Sequence, residues 1–343
     1  MTPDTDRDDD VNGSARGART VGIVVNPTKI SIAALRDAIE AVSEELPDDV
    51  TAQWYETTAE DPGTGMAREA VADGCDLIIA AGGDGTVRAV AETLAGSGIP
   101  LGIVPAGTGN LLARNLAMNT GDPRTALHVA FTGSPRAIDV GRLDVLREDG
   151  SVDRRRFLVM AGIGIDARMI DATDPVLKKR VGWLAYVSAI LRVMRIRKTL
   201  RMTMSLDGAR AHRLRCHTIM VGNCGTLQGD ILLMPDASVD DGNFEVLVLR
   251  PTSILGWVQI FVKIIWENGV LRRTSLGPRV LGLAHEVRAM SYRTTRDIRL
   301  RSDTPHRLEI DGDVVGQAMA IHARVEHGGL NVIVPGTVLE SRP

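Results

Sequence analysis

Apolar and polar positions in the first third of the chain alternate between two periods. Thr20–Val25 is a short β-branched run closed by Asn26-Pro27. Beyond it Ile32, Leu35, Ile39, Val42 and Leu46 recur at three- and four-residue spacing, which predicts an amphipathic helix with Ser31 as its cap and Pro47 as its stop. A second strand is predicted at Ala52–Tyr55 and a second helix at Met66–Ala72. Leu77–Ala81 (LIIAA) has no polar position, so it reads as a strand buried on both faces. A helix at Val87–Leu94, a strand at Leu101–Val104 and a helix beginning at Leu111–Leu116 follow. Alternation of this kind predicts an open parallel sheet with ligands at the carboxyl ends of its strands.

From about Ala137 the rhythm changes. Arg156–Met160, Arg201–Leu206, Cys216–Val221, Phe244–Leu249 and Ile298–Arg301 are short, β-rich and separated by turns, with longer helical patterns only near 181–196 and 253–267. This predicts a second, mainly antiparallel domain. A chain of 343 residues also exceeds what one core usually serves. The expected division is a disordered leader over 1–18, an α/β domain over 19–137, a β-rich domain over 138–329 and a terminal strand over 330–343. The pattern leaves open which domain that last strand joins, a return to the first included.

Composition narrows the class. The chain is 44% hydrophobic and 24% charged, as folded globular proteins are. The first ten residues hold five Asp and one Arg with no apolar run, which reads as a disordered leader and not a signal peptide. Cys75, Cys216 and Cys224 have no metal or disulfide spacing and read as buried thiols in a reducing cytosol. None of the seven histidines forms an i, i+4 metal pair. No apolar run reaches the ~18–20 residues that a bilayer span requires, so a soluble or peripheral protein is expected.

Two glycine-rich segments carry candidate chemistry. Gly82-Gly83-Asp84-Gly85-Thr86 lies between the buried third strand and a helix, where backbone N–H groups and the helix N-terminus can meet phosphate oxygens. Asp84 amid a phosphate loop makes chemical sense if it holds Mg²⁺, directly or through water. Pro105-Ala106-Gly107-Thr108-Gly109-Asn110 repeats the arrangement one strand later, and two such loops make a nucleotide cleft. Neither a Walker A segment nor a GxGxxG dinucleotide fingerprint is present.

Taken with Asn26-Pro27, these loops and a series of later segments resemble the diacylglycerol kinase catalytic-domain superfamily, which includes soluble bacterial lipid kinases and sphingosine kinases. The later segments are Ile138-Asp139-Val140-Gly141, Gly162–Ala167 (GIGIDA), Val221-Gly222-Asn223, Asp240-Asp241-Gly242 and Ile310-Asp311-Gly312-Asp313. The resemblance runs over roughly residues 20–335. It implies an NAD kinase/diacylglycerol kinase-like nucleotide-binding domain followed by a β-sandwich, with ATP and Mg²⁺ as cofactors. It implies nucleotide contacts from Asn26, Thr57, Gly82, Gly83, Asp84, Gly85, Thr86, Gly107, Thr108 and Asn110. Asp241, helped by backbone near Ser238 and Asn243, matches a structural Mg²⁺ site; read from residues alone, Asp-Gly there is a hairpin turn. Asp313 matches the catalytic base, one methylene shorter than the family's glutamate. Asp311 is expected to orient the site and Asp139 to join the same acidic network. Leu111 stands where many relatives carry a metal-network aspartate, and Lys29 is the nearest candidate for a lysine some relatives place beyond Asn-Pro.

Residues 178–201 contain eight Lys/Arg and no acid around an apolar stripe of Trp183, Leu184, Val187, Ile190, Leu191 and Met194. A cationic amphipathic helix of this kind predicts peripheral contact with a membrane surface, the alternative being a solvated surface helix. Trp257, Phe261 and Trp266 are helically spaced and fit core packing or an acyl pocket. The function expected is ATP-dependent phosphorylation of a lipid, diacylglycerol first. Sphingoid and other lipid acceptors, an NAD kinase and a catalytically silent lipid-binding homologue are the alternatives. Resemblance allows a homodimer. No nucleic-acid partner is expected, because the basic cluster lacks aromatic stacking platforms.

Overall fold

The structure, a computed structural model, describes residues 18–46, 49–119, 121–164, 199–227, 231–267 and 289–336. Strands β1 (Ala18–Val25), β2 (Asp49–Glu56), β3 (Leu77–Gly82) and β4 (Leu101–Pro105) pair in parallel in the order β4-β3-β1-β2. Ala18, counted in the expected leader, pairs with Asp49 in β1. The LIIAA strand lacks polar residues because both its faces are covered. Leu77, Ile79 and Ala81 pack with Leu35 and Ile39 of α1 (Ile32–Ser43) and Leu127 of α5 (Pro123–Thr132). Ile78 and Ala80 pack on the other side with Ala67 and Ala70 of α2 (Thr64–Ala72) and Val90 of α3 (Asp84–Leu94). Burial of each leucine, isoleucine or valine side chain among these stabilises the fold by about 1.5–3 kcal/mol.

Caps fix where the helices start. Ser31 Oγ accepts the Ala34 N–H at 3.4 Å, and the Asp122 carboxylate accepts the Arg124 and Thr125 N–H groups before Pro123 opens α5. Helix α5 was not anticipated, although an Asp cap, a Pro at the first position and apolar Ala126, Leu127, Ala130 and Phe131 announce it. Helix α4 (Leu111–Asn115) is a single short turn after β4.

The second half is antiparallel: β5 (Ser134–Leu146), β6 (Val152–Phe157), β7 (Met160–Ile163), β8 (Leu200–Leu206), β9 (His212–Cys216), β10 (Thr218–Gly222), β13 (Phe244–Leu249), β14 (Met290–Thr295), β15 (Asp297–Ile310) and β16 (Asp313–Val334). A small two-stranded pair, β11 (Thr226–Leu227) and β12 (Ile231–Leu232), stands apart, and α6 (Ile254–Glu267) follows β13. Phe157 and Phe244, with ring centroids 5.2 Å apart, anchor this half's core. Strand β16 pairs along β5 and ends beside β4 at Val332–Leu101, so the terminal strand does reach the first sheet. Strands β5 and β16 run through the positions expected as domain limits, 137/138 and 329/330.

Two expected strands are split. Arg156–Met160 is divided between β6 and β7 because the N–H groups of Leu158, Val159 and Met160 turn to the Asp311 carboxylate instead of a neighbouring strand. Cys216–Val221 is divided at His217, whose N–H goes to Leu249 O. The helical pattern near 181–196 lies outside the described residues.

Candidate active site

The two glycine loops meet at backbone distance. A Cβ on Gly107 would lie 2.8 Å from the Gly83 Cα and 3.0 Å from Asn110 Oδ1, so only glycine permits this approach. Asp84, the first residue of α3, locks the pair: its Oδ2 accepts the Asn110 N–H at 2.9 Å and its Oδ1 the Leu111 N–H at 2.6 Å. Asn110 adopts a left-handed conformation (φ 48°), and its side chain closes the second loop by accepting from Gly107 N and donating to Gly107 O. Burial holds the Asp84 carboxyl above its usual range; the two amides pull it back, and Asp313 nearby adds to the rise.

The flanking residues complete a rim. Asn26 donates its backbone N–H to Ala81 O and lies 3.5 Å from Thr86 Oγ1, tying the end of β1 to the first loop. Thr57 is buried at the end of β2, its N–H on Val25 O. Gly82 leaves room for Thr86, whose Cβ would be 2.7 Å from a Cβ on Gly82. Gly85 lies near the Asp313 carboxylate, and Thr108 is exposed at the tip of the second loop. Lys29 is exposed on the turn after Asn26.

The Asp311-Gly312-Asp313 turn joins β15 to β16 and stands over these loops. Asp311 (φ 48°) is buried and accepts three backbone N–H groups, from Leu158 at 3.0 Å and from Val159 and Met160 at 2.9 Å. Burial raises its pKa and the amides offset part of the rise. It is a positioning residue that anchors the turn. The Asp313 side chain is 54% exposed and pairs with Arg88 of α3 at 2.8 Å. Arg88 also donates to Ile310 O at 2.7 Å. The Leu111 side chain lies about 4.0 Å from the Cβ position of Gly312, so the apolar substitute packs against the turn.

Asp139 is not with Asp311 and Asp313. Its fully buried carboxylate accepts the Gly242 N–H at 2.6 Å and the Gly328 N–H at 2.8 Å, and meets His327 Nδ1 at 2.7 Å. The expectation of one acidic network is corrected: Asp139 braces the 239–242 turn against the irregularity in β16. Among the described residues it is linked to the Asp311 region through Asn223, whose Nδ2 donates to Asp139 O and Leu158 O. In the turn itself, Asp240 pairs with Arg136 and accepts from Ser238, while Asp241 Oδ1 accepts the Asn243 N–H. Among the described residues no group of three or more His, Cys, Asp or Glu side chains is arranged to hold a metal ion.

Sequence reasoning missed Arg88, His327 and Asn115. Asn115 joins α4 to β11 through both its amide atoms, accepting from Thr226 N and donating to Thr226 O. No local signal distinguished them, since each acts on a partner more than 100 residues away.

Comparison with known proteins bears on this arrangement. The profile of the diacylglycerol kinase catalytic domain matches residues 20–143, and that of the YegS C-terminal NAD kinase beta sandwich-like domain matches residues 159–275. The chain thus carries a diacylglycerol kinase catalytic domain followed by a YegS C-terminal NAD kinase beta sandwich-like domain. The chain is 30% identical to a diacylglycerol kinase of Mycobacterium tuberculosis over 56% of this chain and 60% of the relative. It is 36% identical to a probable lipid kinase YegS-like protein of Stenotrophomonas maltophilia over 53% of this chain and 58% of the relative. These matches span under two thirds of either relative. A Bacillus anthracis crystal structure assigned as a diacylglycerol kinase shares the fold, with a TM-score of 0.68 at 21% identity, covering 94% of this chain and 97% of that one. Both glycine loops lie inside the catalytic-domain match, whereas the Asp311-Gly312-Asp313 turn lies beyond both profiles.

Proposed function

We infer that the protein is a lipid kinase that moves the γ-phosphoryl group of ATP to a lipid hydroxyl, diacylglycerol first among acceptors. The observation that carries the reading is the placement of the Asp313 carboxylate above two glycine loops in backbone contact, with Arg88 holding it there. The loops offer N–H groups and the N-terminus of α3 to a polyphosphate. Phosphoryl transfer needs mainly positioning and charge neutralisation, which such loops provide. Asp313 takes the proton of the lipid hydroxyl as that oxygen bonds to phosphorus and the bond to the ADP oxygen breaks; help of this type contributes about 10²–10⁴-fold.

The residues present fit Mg²⁺ in its usual mode, one or two carboxylates with the remainder from substrate phosphates and water. Asp84, whose carboxyl is influenced by the charge of nearby Asp313, would hold it. Bound there, Mg²⁺ supplies neutralisation of the developing phosphate charge. Asp241 with backbone of the 238–243 turn would serve a second, structural ion. A lipid substrate also motivates peripheral membrane contact through 178–201, a segment that lies almost wholly outside the described residues.

The test is transfer of labelled γ-phosphate from ATP to a lipid panel in mixed micelles, with Mg²⁺ and with chelator. Label on one lipid, lost with chelator, supports the reading and names the acceptor. Label on NAD in a parallel tube, or nucleotide binding with no transfer at all, sinks it in favour of the NAD kinase or silent alternative.

A further inference from the structure

An open cleft of about 590 Å³ lies away from the glycine loops, between the parallel-sheet half and the edge of the antiparallel half. Its walls include Arg68 of α2, Glu92 of α3, Arg142 of β5 and Arg154, Arg155 and Arg156 of β6. Five arginines therefore line a space shared with one acidic residue, Glu92. None belongs to the site described above.

Strand β6 pairs only with β5 among the described strands, and charge on an edge strand deters edge-to-edge association. That accounts for a basic β6. It does not account for Arg68 and Arg142 converging on the same space from two other elements. Arg142 and Arg156 sit directly opposite each other in the ladder, an arrangement that costs stability when like charges meet. Both lean on one carboxylate, Glu326, at 3.9 Å and 3.0 Å. Arg155 pairs with Asp153, and Arg154, 78% exposed, is 3.9 Å from Asp144. Arg68 makes no ion pair with a described residue. Burial also pushes the Glu92 carboxyl up.

We propose that this cleft binds a phosphate-bearing anion, with Arg68, Arg142 and Arg154 as its principal donors. Planar guanidinium forks match phosphate oxygens in bidentate geometry, and the volume falls within the ~300–1,000 Å³ of small-ligand sites. The chemistry fits either the headgroup of an anionic phospholipid or a soluble phosphate. Reading the loops as a nucleotide site is not needed for this inference.

Two probes separate the sources. Titration calorimetry of the full chain uses inorganic pyrophosphate, and any binding at the glycine loops, which wild type and variants share, cancels in the comparison. Sedimentation uses phosphatidylcholine vesicles with and without phosphatidylglycerol. Wild type is compared with the double variant Arg68→Gln/Arg154→Gln, whose side chains are exposed, with Arg142→Gln as a second variant and thermal unfolding as the folding control. Binding weakened about tenfold or more per lost charge-assisted contact is expected. Loss seen only with phosphatidylglycerol vesicles assigns a lipid headgroup; loss seen with pyrophosphate alone assigns a soluble anion. Equal binding by wild type and folded variants, or binding of neither probe by wild type, overturns the proposal.

Discussion

Arg88 holds Asp313 across 225 residues of sequence, donating to its carboxylate at 2.8 Å and to Ile310 O at 2.7 Å. One helix, α3, thus carries the first glycine loop at its N-terminus and the brace of the late turn one turn further on. The spacing between loop and carboxylate is set by the rigidity of that helix and not by the flexible ends of two loops.

Arg88→Gln tests this brace. The pair is half exposed at Asp313, so its loss costs about 0–1 kcal/mol and the melting temperature moves little. Misplacing a reacting group by ~1 Å costs about 10²-fold in rate, so kcat should fall by roughly ten- to a hundredfold. KM for ATP should stay near the wild-type value, because Arg88 does not touch the loops' N–H groups. Steady-state kinetics against ATP checks the split.

Gly107→Ala places a Cβ 2.8 Å from the Gly83 Cα, a distance at which one backbone must move. Overpacking of this kind costs about 1–3 kcal/mol. The expected outcome is nucleotide affinity reduced by about tenfold or more in a protein that still melts cooperatively, measured by calorimetric titration of an ATP analogue.

Asp139→Ala and His327→Ala should separate sharply. The first leaves the buried Gly242 N–H without its acceptor, at about 1–3 kcal/mol, and frees the Gly328 N–H of an exposed residue to water at less cost. The second removes a side chain that is 67% exposed and should cost under about 1 kcal/mol. Denaturant unfolding reads both. Equal destabilisation would mean the histidine contact, not the amides, holds the 239–242 turn.

Much of this was legible in sequence because it is local. The LIIAA run announced a strand covered on both faces, and the glycine loops announced backbone contact by composition. Asp139 was misplaced because nothing in Ile138-Asp139-Val140 tells whether a buried carboxylate serves a turn at 242 or one at 311. Arg156–Met160 read as one strand because its apolar end has strand propensity. Only the distant Asp311 shows that its amides are taken elsewhere. What sequence could not carry is the partner of a buried polar group.

Glu92→Gln addresses pH. Burial raises the folded-state pKa of Glu92 above its unfolded value near ~4.3, so the folded state holds that proton more tightly. Its stabilising contribution is full below the unfolded pKa and is lost as pH rises through the folded one. Glutamine removes that loss. The melting temperature of Glu92→Gln relative to wild type should therefore climb as pH rises above about pH 4. A difference that stayed flat or fell would contradict the assignment.

The most direct measurement is the rate of labelled γ-phosphate transfer from ATP to diacylglycerol in mixed micelles by wild type and Asp313→Asn. Asp313 is half exposed, so the variant should fold and bind nucleotide as wild type does. The account predicts robust wild-type transfer that falls by about 10²–10⁴-fold in the variant, as loss of a general base requires. Equal rates in the two proteins would contradict it and move the proton acceptor away from the turn that Arg88 holds.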